Sequence, residues 1–158
     1  MRALLQRVSQ AECRVDGTST GSCGLGYLIL LGVGPADDEA AAKLLWEKIR
    51  KLRVFDDTAG KMNLSLEDVG GDVLVVSQFT LYANCRRGNR PSFAEAAPPA
   101  MADELYQYFC QLAETDLGPE RVGRGIFAAD MKVTLTNDGP VTIWLETEEL
   151  TKPRRQLS

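Results

Sequence analysis

No histidine occurs among the 158 residues, and this absence narrows the chemistry before any motif is considered. It excludes a Ser-His-Asp or Cys-His device and removes the usual general base of neutral pH. If the chain is an enzyme, its proton transfers must come from carboxylates, lysine, water or the substrate. Cys13, Cys23, Cys85 and Cys110 form no Cys-x-x-Cys pair and, without histidine, offer no zinc-ligand pattern. Cys13 and Cys23 could meet across a hairpin, but a reducing compartment argues for free thiols. The glycine-rich "GTSTGSCGLG" precedes a strand and not a helix, so it fails as a phosphate-cradling loop. No residue cluster demands a cofactor or a metal.

Three stretches remain that could act on a ligand. In "VVSQFTLYA" an apolar strand ends in Ser77, Gln78, Phe79 and Thr80, which delivers two hydroxyls, an amide and a ring to a sheet edge. Strand ends are where α/β proteins hold ligands, although an amphipathic strand with Phe79 packed inside would read the same way. In "LTNDGPVTIWLE" the dipeptide Gly139-Pro140 separates two strand-like runs. A turn on Asp138-Gly139 is the simple account. The other is a cis Gly-Pro bond, which proline accepts at about 0.5–1 kcal/mol, with the main-chain carbonyls aimed at an ammonium group. The third stretch, "RRGNR" (Arg86 to Arg90), with Lys61 and the Arg154-Arg155 pair elsewhere, is either a phosphate-contacting loop or a solvated one.

The elements that must position these residues follow from periodicity. The start reads as a strand and a hairpin turning on Asp16-Gly17, and "YLILLGV" as a buried strand ended by Gly34-Pro35. Helical spacing of Ala41, Leu44, Leu45, Ile49 and Leu52 follows, with Asp37 and Asp38 at the favourable end of the helix dipole. "VFDDTAGKMNLSL" reads as a short strand, a turn and an extended return, and "DVLVVSQFTLYA" as a second buried strand. Pro98-Pro99 opens a second helix with Met101, Leu105, Phe109 and Leu112 on one face. "GIFAADMKVTLT" and "VTIWLE" add about three strands, Met131, Val133 and Leu135 alternating with polar residues. The expected order is ββ-βα-βα-βββ in one α/β domain over residues 1–147, with a polar, mobile tail at 148–158.

Composition agrees with a globular chain: 44% of residues are hydrophobic and 25% charged. No apolar run reaches the roughly 20 residues that span a bilayer, and "MRALLQRVSQAECRV" is too often interrupted for a signal peptide. The expected compartment is the cytoplasm, with no membrane partner. A net charge of -4 speaks against nonspecific nucleic-acid binding without excluding a local basic patch.

Taken together, "SQFTLYA", "RPSF", "AAPP", "FAADM" and "NDGPVT", in this order and spacing, resemble the D-aminoacyl-tRNA deacylase family. The similarity also covers "MRALLQRVS", "LLGV" and "GKMNLSL" with "DVGG", and runs from Met1 to about Thr147. It implies a three-layer α/β/β fold and a homodimeric, cytosolic hydrolase, free of cofactors, that releases D-amino acids from the 3′ end of tRNA. It further implies that Ser77, Gln78, Phe79 and Thr80 line the active site and that a cis Gly139-Pro140 enters the partner subunit's site. Ala102, Phe127 and Met131 match further pocket positions, with Phe127 near the terminal adenine. Ala128 stands where members often have glycine, which tightens the adenine side. Ser77 is not the proline of a branch with altered selectivity, and neither Cys85 nor the tail inherits a role.

Two hydrolytic routes are open: attack by Thr80, which lacks a neighbouring base, or a water organised by the terminal ribose 2′-hydroxyl. The second is preferred, with the N–H groups of Phe79 and Thr80 holding the oxyanion. Backbone exclusion of an L side chain implies broad tolerance among D residues, and glycine passes the same filter. The rival from another class is a noncatalytic dimeric RNA-binding module.

Overall fold

The computed structural model describes residues 1–154. Its first strand, β1 (Arg2–Val15), organises everything else. The turn on Asp16 and Gly17, both at positive φ, sends β2 (Thr18–Cys23) back along its end, as the Asp-Gly pair dictates. β3 (Gly26–Gly32) pairs with residues 2–8 of β1, and β6 (Asp72–Ser77) and β7 (Val122–Arg124) follow in parallel. The crossovers between these parallel strands carry α1 (Glu39–Lys51), the hairpin β4 (Phe55–Asp56) and β5 (Met62–Leu64), and α2 (Pro99–Leu117). Asp38 caps α1 by accepting from the Ala41 N–H, and Pro99 occupies the first turn of α2, where a missing N–H costs nothing.

Three layers result. On one face of the sheet, Ala42, Leu45, Trp46 and Ile49 of α1 and Leu105, Tyr106 and Phe109 of α2 bury the main core with Leu5, Ile29 and Val75. Met101 and Leu112, expected to face inward, are only half-buried. On the other face, β2 folds back over β7, the Thr20 hydroxyl donating to the Arg124 carbonyl at 3.1 Å. A second core, with Val8, Cys13, Leu28, Leu74 and Val76, fills the space between the two β layers. The fold is α/β in a single domain.

Three local expectations change. The "GIFAADM" segment is a turn and not a strand, the Ala129 N–H donating to the Ile126 carbonyl. "LTNDGPVTIWLE" belongs to one strand, β8 (Lys132–Glu146), antiparallel to nearly the whole of β1. Val8 of β1 pairs with Asn137 and Gln6 with Thr142, so residues 138–141 form an excursion opposite the single residue Arg7. The proline sits in that excursion, where no ladder hydrogen bond is required of it. The segment read as a tail from 148 begins within a short helix, α3 (Thr147–Thr151). Arg155 and the rest of the tail lie outside the described residues.

Candidate active site

The head of β6 is one wall of the site. Gln78 anchors it, its N–H donating to the Leu31 carbonyl of β3 at 2.8 Å, and the chain then tightens into a 3-10 turn, Phe79–Tyr82. Gly32 permits this close passage: a Cβ there would lie 3.1 Å from both the Gln78 carbonyl oxygen and the Leu81 Cβ. Phe79 and Thr80 are the first residues of the turn, where N–H groups have no acceptor within it. Tyr106 supports the wall from behind, its hydroxyl donating to the Val75 carbonyl at 2.7 Å. Burial holds that phenol well above its usual range, so it stays a donor.

These elements enclose a pocket of about 700 Å³, within the usual range of small-molecule sites. Ser77, Gln78, Phe79, Ala102, Phe127 and Met131 all line it. Thr80 stands beside it, exposed, with its hydroxyl accepting from the Gln78 amide. That amide is a donor and not a base. Phe93 completes the mouth: its ring meets Phe79 edge-to-face at 5.0 Å, and Phe79 is 57% exposed. Large apolar rings left in water at a pocket mouth mark a contact surface. Asp130, the one carboxylate among the lining residues, is turned to solvent and paired with Lys132 at 3.1 Å. Ala128 has φ 62°, in the left-handed region that glycine adopts freely and alanine does not.

Gly139 and Pro140 are elsewhere. Their peptide bond is cis, both are exposed, and neither lines the pocket. Gly139 belongs to the excursion opposite Arg7, whereas the pocket-lining Val133 pairs with Cys13, six residues further along β1. The excursion is nevertheless held firmly. The Asn137 side chain closes its neck, accepting from the Val141 N–H at 2.8 Å and donating to the Thr142 hydroxyl at 2.9 Å. Arg7, only 7% exposed, fills its base. Its guanidinium donates to the Asp138 carbonyl at 2.8 Å and the Val54 carbonyl at 2.7 Å, and pairs with Asp56 at 3.4 Å. At Gly139, φ is 143° and a Cβ would lie 2.8 Å from the Val141 side chain and 3.3 Å from Arg7 Nη2. Only glycine fits.

Arg7, Asn137 and Phe93 carry no role in the sequence reading. Arg7 had a visible signal, since it continues the inward alternation of Ala3 and Leu5. All four cysteines are free, and Cys13 pairs in register with Gly21 rather than Cys23. Burial pushes the Cys23 and Cys110 thiols up to about 12. Among the described residues no group of histidine, cysteine and carboxylate side chains could hold a metal ion, and no helix is long and apolar enough to cross a membrane.

Fold and pocket define an α/β protein that offers a ligand main chain, amide and aromatic surface without an acid–base pair. A solved structure described as c-Myc DNA Unwinding Element Binding Protein has the same fold, with a TM-score of 0.87 and 39% identity over 92% of this chain and 98% of that one. Curated D-aminoacyl-tRNA deacylases are still more similar. The protein of Anaeromyxobacter dehalogenans is 56% identical, covering 95% of this chain and 99% of its own. That of Thermomicrobium roseum is 57% identical, covering 95% and 96%. The family model for D-Tyr-tRNA(Tyr) deacylase matches residues 4–146. The chain belongs to the D-Tyr-tRNA(Tyr) deacylase family, and it is a hydrolase.

Proposed function

We propose that this protein hydrolyses the ester bond of D-aminoacyl-tRNA, and of glycyl-tRNA, releasing the amino acid and tRNA in the cytoplasm as a chiral check on translation. The observation that carries the reading is the convergence of Ser77, Gln78, Phe79, Ala102, Phe127 and Met131 on one pocket without any nucleophile–base pair. An aminoacyl ester is already activated, so a positioned water and a held oxyanion suffice. The N–H groups of Phe79 and Thr80 are free to hold that oxyanion, and the terminal ribose 2′-hydroxyl organises the water. Thr80 is a poor nucleophile here, because its hydroxyl faces an amide and the chain has no histidine. Phe127 takes the terminal adenine.

Chirality is assigned to Gly139 and Pro140, whose carbonyls receive the α-ammonium in the site of a second copy. Their exposure, together with their absence from the lining of their own chain's pocket, supports a homodimer with sites at the interface. With the ammonium and ester fixed, an L residue drives Cβ into main chain, which no rotamer change relieves. Overpacking of this kind costs roughly 1–3 kcal/mol or more. The test is release of tyrosine from D- and L-tyrosyl-tRNA under matched conditions. The expected result is rapid release from the D ester, a preference of about 100-fold or more at 1.4 kcal/mol per decade, and release of glycine. Equal rates on both enantiomers, or tight selection among D side chains, contradict it.

The name of the solved structure that is 39% identical keeps one other reading in view, a noncatalytic nucleic-acid-binding module that uses Arg86, Arg87 and Arg90. It predicts salt-sensitive RNA binding with no release of amino acid from either ester.

A further inference from the structure

The loop between the two exposed phenylalanines of the pocket mouth carries charge that the rest of the molecule leaves unused. Arg86, Arg87 and Arg90 are exposed, and among the described residues none of them pairs with a carboxylate. Arg2, Arg7, Arg14, Arg50, Arg121 and Arg124 all do, whereas Arg53 bonds Asn63 instead. No acidic residue occurs between Asp72 and Glu95, so the loop is a local inversion of charge on a chain of net charge -4. The loop is also tied to the site. Asn84 and Ser92 exchange main-chain hydrogen bonds of 2.8 and 2.9 Å, closing its neck immediately before Phe93 and two residues after the 3-10 turn. The Asn84 side chain accepts from the Arg86 N–H at 3.0 Å, and Gly88, at φ 63°, forms the tip. Arg86 and Arg90 each lie two residues from the neck, so their Cα atoms stand within about 7 Å of it.

We propose that Arg86, Arg87 and Arg90 grip consecutive phosphates of the single-stranded RNA end whose last nucleoside occupies the pocket. The assignment rests on the D-aminoacyl-tRNA reading above. A substrate ester sits on the final nucleoside, so the phosphates that precede it must leave through the mouth formed by Phe79 and Phe93. Guanidinium forks suit phosphate oxygens, and the loop supplies three of them without competing carboxylates. The loop holds the strand by its backbone and is indifferent to base identity.

Salt dependence measures this directly. Each phosphate neutralised on a single strand contributes about 0.7 to the slope of log affinity against log salt, so three contribute about 2. The kcat/KM of wild type and of R86Q/R87Q/R90Q is measured on D-tyrosyl-tRNA at 50 and 200 mM salt, and on the phosphate-free ester 3′-O-(D-tyrosyl)adenosine. Wild type should lose about 20-fold more than the triple variant across that range on tRNA, with the loss in KM. The variant-to-wild-type ratio on the adenosine ester should not change with salt. R87Q alone should remove about one third of the slope difference. Equal salt slopes in wild type and variant overturn the assignment, as does an equal loss on both substrates, which would make the loop a support of the pocket. If wild type hydrolyses the esters and the slopes are equal, only the loop assignment fails. If it hydrolyses neither, the functional reading fails and the loop assignment goes with it.

Discussion

The pocket at the head of β6 and the excursion of β8 are built on opposite plans. The pocket is concave, lined by several elements, and sits where parallel strands end beside α2, as ligand sites of α/β sheets commonly do. The excursion is convex, four residues of one strand pushed into solvent opposite Arg7. Yet both expose main chain, at Phe79 and Thr80 in one and at Gly139 and Pro140 in the other. Neither is a complete site. The pocket has hydrogen-bond donors and an aromatic mouth but nothing to select a hand, and the excursion has a rigid shape, seated on Arg7, but lines no pocket of its own chain. Under the proposed function, selection by shape is separated in space from the surface that binds, and a second copy brings the two together.

The largest effect is expected at Gly139. In Gly139→Ala the new Cβ meets Val141 and Arg7 at a φ that alanine tolerates poorly. Displacing the excursion by about 1 Å should cost about 100-fold in kcat/KM, while the pocket still binds adenosine in a calorimetric titration. Arg7→Met comes next. It leaves the Asp138 and Val54 carbonyls without their donor and should lower stability by about 2–3 kcal/mol in a urea titration. Its diagnostic readout is the ratio of D to L rates, which should fall further than the D rate itself. Thr80→Ala sharpens the pocket side: its rate should change little, whereas a 2′-deoxy terminal ribose on the substrate should abolish most turnover. A dead Thr80→Ala protein with an unchanged melting curve would reinstate the covalent route. The smallest effect is expected at Ala128→Gly, which relieves the positive φ at the cost of unfolded-state entropy and should shift stability by no more than about 1 kcal/mol.

The two regions also differ in how far the sequence revealed them. Ser77 to Thr80 follow an apolar strand, and strand-then-polar is a local pattern that survives folding with little change. Residues 137–142 mislead for a physical reason. Asp-Gly followed by proline carries the marks of a turn between two strands, and nothing nearby indicates that β1 runs past on the other side, contributing one residue against four. Only long-range pairing turns a corner into an excursion. The "GIFAADM" run was similarly apolar enough for a strand, but Gly125 and the positive φ of Ala128 make it a turn that feeds Phe127 and Met131 to the pocket. Phe93 and Asn137 lay inside recognisable blocks, and their roles follow from partners distant in sequence or across the neck of the excursion.

If one chain supplies the pocket and another the selecting bend, subunit complementation must restore activity. Gly139→Ala chains retain a pocket, whereas Ala94→Trp blocks the pocket at an exposed lining position and leaves the bend intact. Each protein alone should deacylate D-tyrosyl-tRNA at no more than about one hundredth of the wild-type rate. Differently tagged chains co-expressed and purified as a heterodimer should regain about half the wild-type rate, because one of the two interface sites is whole. A heterodimer as inactive as its parents, both parents being folded, would contradict the account.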